Sequence, residues 1–378
     1  MIRSDSRIRV THQGTLPRPE PLSALVRGRA SGETVDAAAL DQQVRAAVAD
    51  VVDRQRQIGV DSINDGEMSK SSFSDYVAQR LGGIEKTSEP YFSPITGRDK
   101  RDFPEYFASR QLGGGYRRVF QCTGPLTYDG TQAVQTDIAN LQAAIAGKDV
   151  EQAYLPAVAP GSIEHWLKNS YYKSDEEFLF AIAEAMRHEY QAIIEAGFVL
   201  QIDDPDLADG WQVHPTFTLR EARAEAQLRT EALNHALRGL PEDRIIMHMC
   251  WGSGKGPHTH DLPLSEFVDI VLSVHAGGYS IEAANPRHDW EWQVWEQVKL
   301  PAGKVLIPGV IAHCTDHVEH PQLVAQRLVR YANLVGRENV IAGTDCGIGS
   351  RVATGEIAWA KLAASVEGAR IATQVLWG

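Results

Sequence analysis

The sequence predicts an α/β fold, a (β/α)8 TIM barrel with an insertion after the second strand–helix unit. Two observations carry this prediction. Eight short apolar runs bounded by turn-forming residues recur along the 378 residues, and stretches with helical spacing fill the gaps between them. Strands that alternate with helices form parallel sheets, and eight such units are the number that closes a barrel. A doubly wound open sheet is the alternative that this alternation leaves open.

The first half of the chain supplies three of the strands. The run 7–12 ends in a loop rich in Gly and Pro, and 34–57 carries apolar residues at helical spacing on one side. The run 60–64 forms the second strand. The third strand, 154–159, contains Pro156. Proline has no backbone N–H donor, so the ends of this strand are poorly defined. The helices predicted in this half cover 34–57, 129–147 and 175–196.

From residue 175 onward the alternation is regular. Ser174 is a candidate N-cap for the helix 175–196, and Gly197 stands just past its end, where a left-handed residue often closes a helix. The remaining predicted strands are 198–203, 245–250, 279–283, 304–308 and 340–344. The helices that follow them are 217–238, 263–276, 320–335 and 355–375.

Residues 83–116 break the alternation. They are rich in Gly, Pro and aromatic residues and fit neither a strand nor a helix of the barrel. We therefore predict one domain, the barrel of residues 1–378, with 83–116 inserted into it. The insertion is expected to serve as a lid or as a subunit contact.

Composition excludes several classes of protein. The apolar fraction of 43% is ordinary for a globular chain, and no run approaches the roughly 18 apolar residues of a membrane span. The N-terminus lacks an apolar signal segment, so the cytoplasm is the expected location. A net charge of −12 argues against a nucleic-acid partner. The partners expected are small molecules, and a homo-oligomer is compatible with the sequence.

The apolar run 245–250 ends in a His-x-Cys pair, His248 and Cys250. Alternate residues of a strand point to one face, so both side chains are expected to meet one pocket. Imidazole and thiolate are zinc ligands. Two further runs end in residues of the same kind, Glu282 and Cys346. The sequence therefore predicts a Zn²⁺ site with four protein ligands, although Glu282 also fits as a helix cap.

The positions after the strands are where barrel enzymes carry their chemistry. Many ionisable residues stand there in this chain, and buried charges are costly unless they are paired or bind a metal. Zinc with thiolate ligands keeps a bound thiol deprotonated, so the reaction that fits is alkyl transfer to sulfur. The histidines 258, 260, 317 and 320 make no recognisable ligand set, and we expect them to be solvated or hydrogen-bonded.

The ligand residues and three other segments resemble the catalytic barrel of cobalamin-independent methionine synthase. His248-x-Cys250, Glu282 and Asp345-Cys346-Gly347 match the zinc ligands of that family in order and spacing. Gly14-Thr15, Asp65-Gly66-Glu67 and Gln201-Ile202-Asp203-Asp204-Pro205 resemble its substrate segments. The resemblance implies that Thr15, Glu67 and Asp203 hold the amino-acid part of a homocysteine-like thiol. A structural turn before Pro205 is the other interpretation of Asp203.

Other motifs resemble a short, single-barrel branch of this superfamily that includes epoxyalkane:coenzyme M transferase. These motifs are His248-Met249-Cys250-Trp251-Gly252, 256–261, 282–288, 309–311 and 318–321. The resemblance implies zinc activation of a thiol and leaves open whether the thiol is homocysteine or coenzyme M. The loop after the seventh strand lacks the family's Asp-x-His, and its His313 is offset. We expect His313 to act as the general acid.

The sequence thus predicts a zinc-dependent S-alkyltransferase in which a small thiol attacks a methyl donor or an epoxide. The alternative enzyme is a metal-free decarboxylase or lyase similar to uroporphyrinogen decarboxylase, which needs only acids, His and Arg at the same strand ends. A third possibility is a barrel that binds zinc without catalysis, because four protein ligands with no open position are typical of a structural site. Fold analogy does not choose among the three.

Overall fold

The computed structural model describes residues 1–94, 97–109 and 115–378. Within these residues eight strands form one parallel sheet and three form a second sheet. The strands are β1 (Arg9–Val10), β2 (Ser62–Ile63), β3 (Leu81–Pro94), β4 (Gly115–Tyr128), β5 (Gln152–Val158), β6 (Lys168–Asn169), β7 (Val199–Asp203), β8 (Ile245–Met249), β9 (Gly278–Ile281), β10 (Val305–Ile311) and β11 (Ile341–Thr344).

The larger sheet closes into a barrel. Its strand order is β1-β11-β10-β9-β8-β7-β5-β2, so each strand lies beside its neighbours in the chain. The two ends meet where the amide of Asp61 donates to the carbonyl of Val10 at 2.9 Å and the hydroxyl of Thr11 donates to that of Ser62 at 3.1 Å. The predicted α/β barrel is confirmed, and each predicted strand overlaps an observed one.

Helices surround the barrel. They are α1 (Glu20–Ser31), α2 (Ala37–Ile58), α3 (Gly97–Asp102), α4 (Pro104–Ser109), α5 (Thr131–Ile145), α6 (Pro160–Trp166), α7 (Asp175–Glu195), α8 (Asp206–Val213), α9 (Leu219–Leu237), α10 (Val268–Leu272), α11 (Val294–Gln297), α12 (Pro321–Val335) and α13 (Gly355–Trp377). Ser174 caps α7 as predicted, accepting from the amide of Glu177 at 3.1 Å. The predicted helix 263–276 is shorter, because a 3-10 turn precedes α10.

The interior of the barrel is apolar at one end and polar at the other. Six buried apolar side chains from five strands form a cluster of their own, apart from the main core. They are Tyr154, Val199, Ile246, Val305, Ile307 and Ile341. Two residues along β8 from Ile246 lies His248, and two further lies Cys250. The alternation of the strand therefore carries the polar side chains above this apolar layer, toward the carboxyl ends of the strands.

The segment predicted as an insertion lies within the second strand–helix unit, ahead of its helix α5, and not after that unit as the sequence suggested. The strands β3 and β4 pair as an antiparallel hairpin, and β6 joins β4, which accounts for a second sheet outside the barrel. That the chain is one domain with 83–116 inserted stays a prediction, and residues 95–96 and 110–114 of that segment lie outside the described residues.

A helix that crosses a bilayer needs about 20 predominantly apolar residues. Among the helices of the described ranges, none is both long enough and apolar enough to cross a membrane.

Candidate active site

Three of the predicted metal ligands meet at the carboxyl ends of the strands. One ligand atom each from His248, Cys250 and Cys346 lies within 4.8 Å of the other two. The first two come from the end of β8, where the alternation points both side chains inward, and the third follows β11. One nitrogen and two sulfur donors at this spacing are the donor set of a zinc site. The residues present therefore fit the metal that the sequence predicts.

The fourth predicted ligand, Glu282, stands in an adjacent cluster. Glu282 follows β9. One ligand atom each of Glu282, His313 and Asp345 lies within 4.8 Å of the other two. One oxygen accepts from the amide of Trp251 at 3.0 Å and the other from the side chain of Asn285 at 2.9 Å. Glu282 also helps to raise the pKa of Cys250, as expected of a carboxylate near that thiol. The four predicted ligands are thus divided between two neighbouring groups.

The side chains of Cys250 and Cys346 are hydrogen-bonded to each other. A hydrogen bond with Cys346, reinforced by burial, raises the pKa of Cys250 well above its ordinary value. The same hydrogen bond, together with one from His248, lowers the pKa of Cys346 well below it. Cys346 is therefore the group that becomes a thiolate first. A thiolate beside an imidazole is the arrangement that accepts a divalent cation in place of a proton.

Two side chains that sequence reasoning missed orient His248. Ser280 lies 3.2 Å from its Nδ1, and the side-chain amide of Gln13 donates to the same Ser280 hydroxyl. The other end of the Gln13 amide accepts from the amide of Thr344 at 3.0 Å. These contacts engage Nδ1, so Nε2 is the ring nitrogen left to act as a metal ligand. A polar Ser inside an apolar run was the one signal in the sequence for this contact.

Thr15 and Glu67, predicted from the resemblance to bind substrate, are in contact. The Thr15 hydroxyl donates to the Glu67 carboxylate, and the Lys70 ammonium lies 3.9 Å from it. Glu67 is buried and has a left-handed backbone, with φ of 57°. A side chain other than Gly rarely adopts that conformation, and strain of this kind concentrates at functional sites. At Gly14 a Cβ would lie 3.3 Å from the Glu67 carboxyl carbon, so a small residue there leaves it room.

Asp203, the third predicted substrate residue, lies beside the metal group. It ends β7 and is in register with His248 on β8. The side chain of Gln201 donates to it at 2.7 Å. Burial raises the pKa of Asp203 to about 7, against the lowering effect of His248 and with the charge of Glu67 adding to the rise. Asp203 therefore lies close enough to His248 and to Glu67 for both charges to act on it.

His313 is fully buried, and neither ring nitrogen has a hydrogen-bond partner among the described residues. The Oδ2 atom of Asp345, in the same group of three, is also without a partner there. A buried polar atom without a partner is costly unless a ligand, ion or water completes it. A bound ligand, ion or water is therefore expected next to these atoms.

The segment after β2 reaches the loop that follows the His-x-Cys pair. Asp99 of α3 accepts from the amide and hydroxyl of Thr259, at 3.1 and 2.7 Å, and from the amide of His260 at 3.1 Å. Arg98 donates to the carbonyls of Trp211 and Phe217 beside α8. The described part of the segment thus packs on two loops of the site.

The histidines expected to be hydrogen-bonded have such partners. His258 contacts Asp261 at 2.8 Å, His260 contacts Asp102, His317 contacts the hydroxyl of Thr315 at 3.0 Å, and His320 accepts from the amide of Gln322 at 3.2 Å. His288, outside that set, contacts the same carboxylate oxygen of Asp261 at 2.9 Å. The ring of His288 stacks on Trp251, with centroids 3.7 Å apart. Trp251 directly follows Cys250, and its amide donates to Glu282. This cluster therefore stabilises the loop that carries Cys250.

Fold and site together define a class: a (β/α)8-barrel protein whose strand ends carry a buried His–Cys–Cys group beside carboxylates. Among solved structures, the B12-independent methionine synthase from Shewanella sp. W3-18-1 in complex with selenomethionine has a similar fold. Its TM-score is 0.77 at 20% identity, over 98% of this chain and 99% of that one. A putative vitamin-B12-independent methionine synthase from Listeria monocytogenes gives a TM-score of 0.68 at 18% identity, over 97% and 98% of the two chains.

Sequence relatives point to the same class. The methionine synthase of Sulfurisphaera tokodaii is 23% identical over 366 residues, covering 96% of this chain and 92% of its own length. That of Thermococcus kodakarensis is 24% identical over 364 residues, covering 96% and 93%. The family described as cobalamin-independent synthase, catalytic domain, matches residues 128–371. The chain belongs to this family, which is one of methyltransferases of the methionine synthase type.

Proposed function

We propose that this protein is a zinc-dependent thiol alkyltransferase that methylates a homocysteine-like thiol. Zinc is held by His248, Cys250 and Cys346, with Glu282 as the fourth ligand. The observation that carries the proposal is the meeting of one nitrogen and two sulfur atoms within 4.8 Å at the strand ends of a methionine synthase-type barrel. Zinc, when bound there, would keep the substrate thiol ionised at neutral pH.

The acidic pocket supports an amino-acid thiol. Glu67 and Asp203 are buried carboxylates that face the site, and an ammonium group is the partner that would satisfy both. Thr15 holds Glu67 in place. Coenzyme M carries a negatively charged sulfonate and no ammonium. Its sulfonate would therefore be repelled by the two carboxylates. This difference favours homocysteine over the coenzyme M and epoxide alternative that the short-branch motifs suggest.

His313 is proposed to move the proton that the alkyl transfer requires. Its buried ring has both nitrogens free of described partners, beside Asp345 and Glu282. A positioned general acid contributes about 10²–10⁴-fold to a rate. A metal-free lyase would give no role to the neighbouring thiols of Cys250 and Cys346. A barrel that only stores zinc would give no role to Thr15, Glu67 and Asp203.

Zinc-edge X-ray absorption on the purified protein, with homocysteine and with coenzyme M, tests this function. We expect two sulfur neighbours in the free protein and three with homocysteine, with no change for coenzyme M. Cys250→Ser should remove one sulfur neighbour, whereas Cys122→Ser, at a buried cysteine that donates to the carbonyl of Gly124, should leave the spectrum unchanged. A third sulfur with coenzyme M alone would transfer the proposal to that thiol.

Two other outcomes would reject it. Protein that is active without zinc supports the lyase, and a zinc spectrum that neither thiol alters supports a structural metal.

A further inference from the structure

A single carboxylate links two of the proposed ligand loops. Asp345 is fully buried, and its Oδ1 accepts from two successive backbone amides, those of Ala283 and Ala284, each at 2.8 Å. These amides directly follow Glu282, and Asp345 directly precedes Cys346. One side chain therefore connects the backbone next to one proposed ligand with the backbone next to another.

The sheet itself does not set the distance between these two ligands. Glu282 follows β9 and Cys346 follows β11, and β10 lies between those strands. Hydrogen bonds between neighbouring strands determine the register of each pair, and both β9 and β11 pair with β10 rather than with each other. The hydrogen bonds from Ala283 and Ala284 to Asp345 directly connect the segments that follow β9 and β11.

Gly309 of β10 makes room for this connection. A Cβ at Gly309 would overlap Oδ1 of Asp345 and would lie 2.8 Å from its backbone nitrogen, closer than atoms approach without a shift. The pairing of β10 with β11 is irregular between Gly309 and Ile311, and the amide of Asp345 donates to the carbonyl of Ile311 at 2.9 Å. The carboxylate thus passes over the end of β10 where a side chain is missing.

We propose that Asp345 and Gly309 act as a positioning pair that sets the spacing of Glu282 and Cys346. Asp345 is a positioning residue for the metal ligands, and Gly309 is the small residue that its path requires. The inference rests on the proposed function, because it assigns the pair a role in holding the zinc ligands. It adds two residues that the ligand set does not contain.

Three substitutions separate geometry from charge. Asp345→Ala removes the acceptor, and Gly309→Ala blocks its path while the carboxylate is kept. Asp345→Asn keeps an Oδ1 that accepts from both amides, and it replaces Oδ2, which has no partner among the described residues, by an NH2 group. If the position of this side chain matters, the first two variants bind zinc weakly, and the third binds zinc almost as the natural protein does.

The experiment measures zinc affinity by competition with a chelator and amide hydrogen exchange at Ala283 and Ala284. Residues that hold metal ligands in place without binding the metal contribute about 10–100-fold to metal affinity. We expect Asp345→Ala and Gly309→Ala to weaken zinc binding by about 10–100-fold and to expose both amides to exchange, while Asp345→Asn binds zinc almost as tightly as the natural protein.

Matched controls exist in the chain. Asp36 also accepts from two successive amides, those of Ala38 and Ala39 at 3.0 and 3.2 Å, at the start of α2 and away from the site. A methyl group at Gly124 would meet no atom of the described residues closer than 3.8 Å, so Gly124→Ala tests the general effect of replacing Gly. Asp36→Ala and Gly124→Ala should both bind zinc normally.

Unchanged zinc affinity and unchanged exchange in Asp345→Ala would overturn the inference. So would an Asp345→Asn variant as weak as Asp345→Ala beside a normal Gly309→Ala, since charge and not position would then matter. A natural protein that binds no zinc would instead reject the proposed function. If Asp345→Ala does not fold, Gly309→Ala with the exchange measurement decides the question.

Discussion

The orientation of His248 depends on side chains that do not reach the metal group. Its Nδ1 faces Ser280, Ser280 is held by Gln13, and Gln13 is anchored on the amide of Thr344. All four residues are buried. A histidine ligand whose other nitrogen is held in this way keeps its tautomer and ring plane, which lowers the cost of binding a metal.

Loss of the Ser280 hydroxyl should therefore weaken zinc binding without changing a ligand. For Ser280→Ala we expect zinc affinity to fall by about 10-fold or more, with two sulfur neighbours still present in the X-ray absorption spectrum. Ser273→Ala, at a partly buried serine that donates to the carbonyl of Ile270, serves as the control. Equal affinity in Ser280→Ala and the control would show that the contact has no part in metal binding.

At the scale of elements, the loop after β8 is held by charge. His258 and His288 both contact Asp261, and burial opposes their charge. The contact with Asp261 overcomes that burial and raises the pKa of His258 to about 10 and that of His288 to about 9. Both rings are therefore charged at neutral pH, and α3 packs on the same loop through Asp99.

The sign of the pH dependence follows from these values. A histidine whose pKa is raised by folding stabilises the protein fully below its unfolded value of about 6.5, and this stabilisation is lost as the pH rises through the folded value. We expect Asp261→Asn to lower the free energy of unfolding by about 2 kcal/mol at pH 7. The difference from the natural protein should shrink between pH 9 and 10, as measured by chemical denaturation.

A difference that stays constant from pH 7 to pH 10 would mean that the histidines are already neutral in the folded protein. The variant Asp269→Asn is a suitable control, because its carboxylate pairs with Arg223 at an exposed site.

At the scale of the whole molecule, the proposed ligands join distant parts of the barrel. His248 lies near the end of β8, Cys250 directly follows that strand, and Cys346 follows β11, so the metal would cross-link the fifth and eighth barrel strands. A ligand that binds only the folded protein stabilises it by about 4 kcal/mol when its concentration is a thousandfold above the dissociation constant. Zinc should therefore contribute to folding as well as to catalysis.

Removal of the metal tests this cross-link. Chelation should lower the unfolding temperature by several degrees, and added zinc should restore it. The variant Cys346→Ser should start from the lower temperature and respond weakly to chelator, whereas Cys122→Ser should respond like the natural protein. A melting temperature that does not depend on zinc would leave the ligands with no structural effect.

The barrel and most of its elements were predictable from local patterns. Apolar runs of strand length and the helical spacing between them depend on neighbours in the chain, and each predicted strand overlaps an observed one. The position of His248 and Cys250 on one face follows from the two-residue period of a strand. The family follows from the same ordered residues, and the match over 128–371 agrees with it.

Contacts between side chains that belong to different strands and loops were beyond the sequence. Three such contacts are the grouping of Glu282 with His313 and Asp345, the support of His248 by Gln13 and Ser280, and the passage of Asp345 over Gly309. They join residues far apart in the chain, 267 positions in the case of Gln13 and Ser280. Periodicity places a side chain on a face of its own strand. Which other side chains it meets depends on how the barrel closes and where each strand ends, and those are properties of the assembled fold.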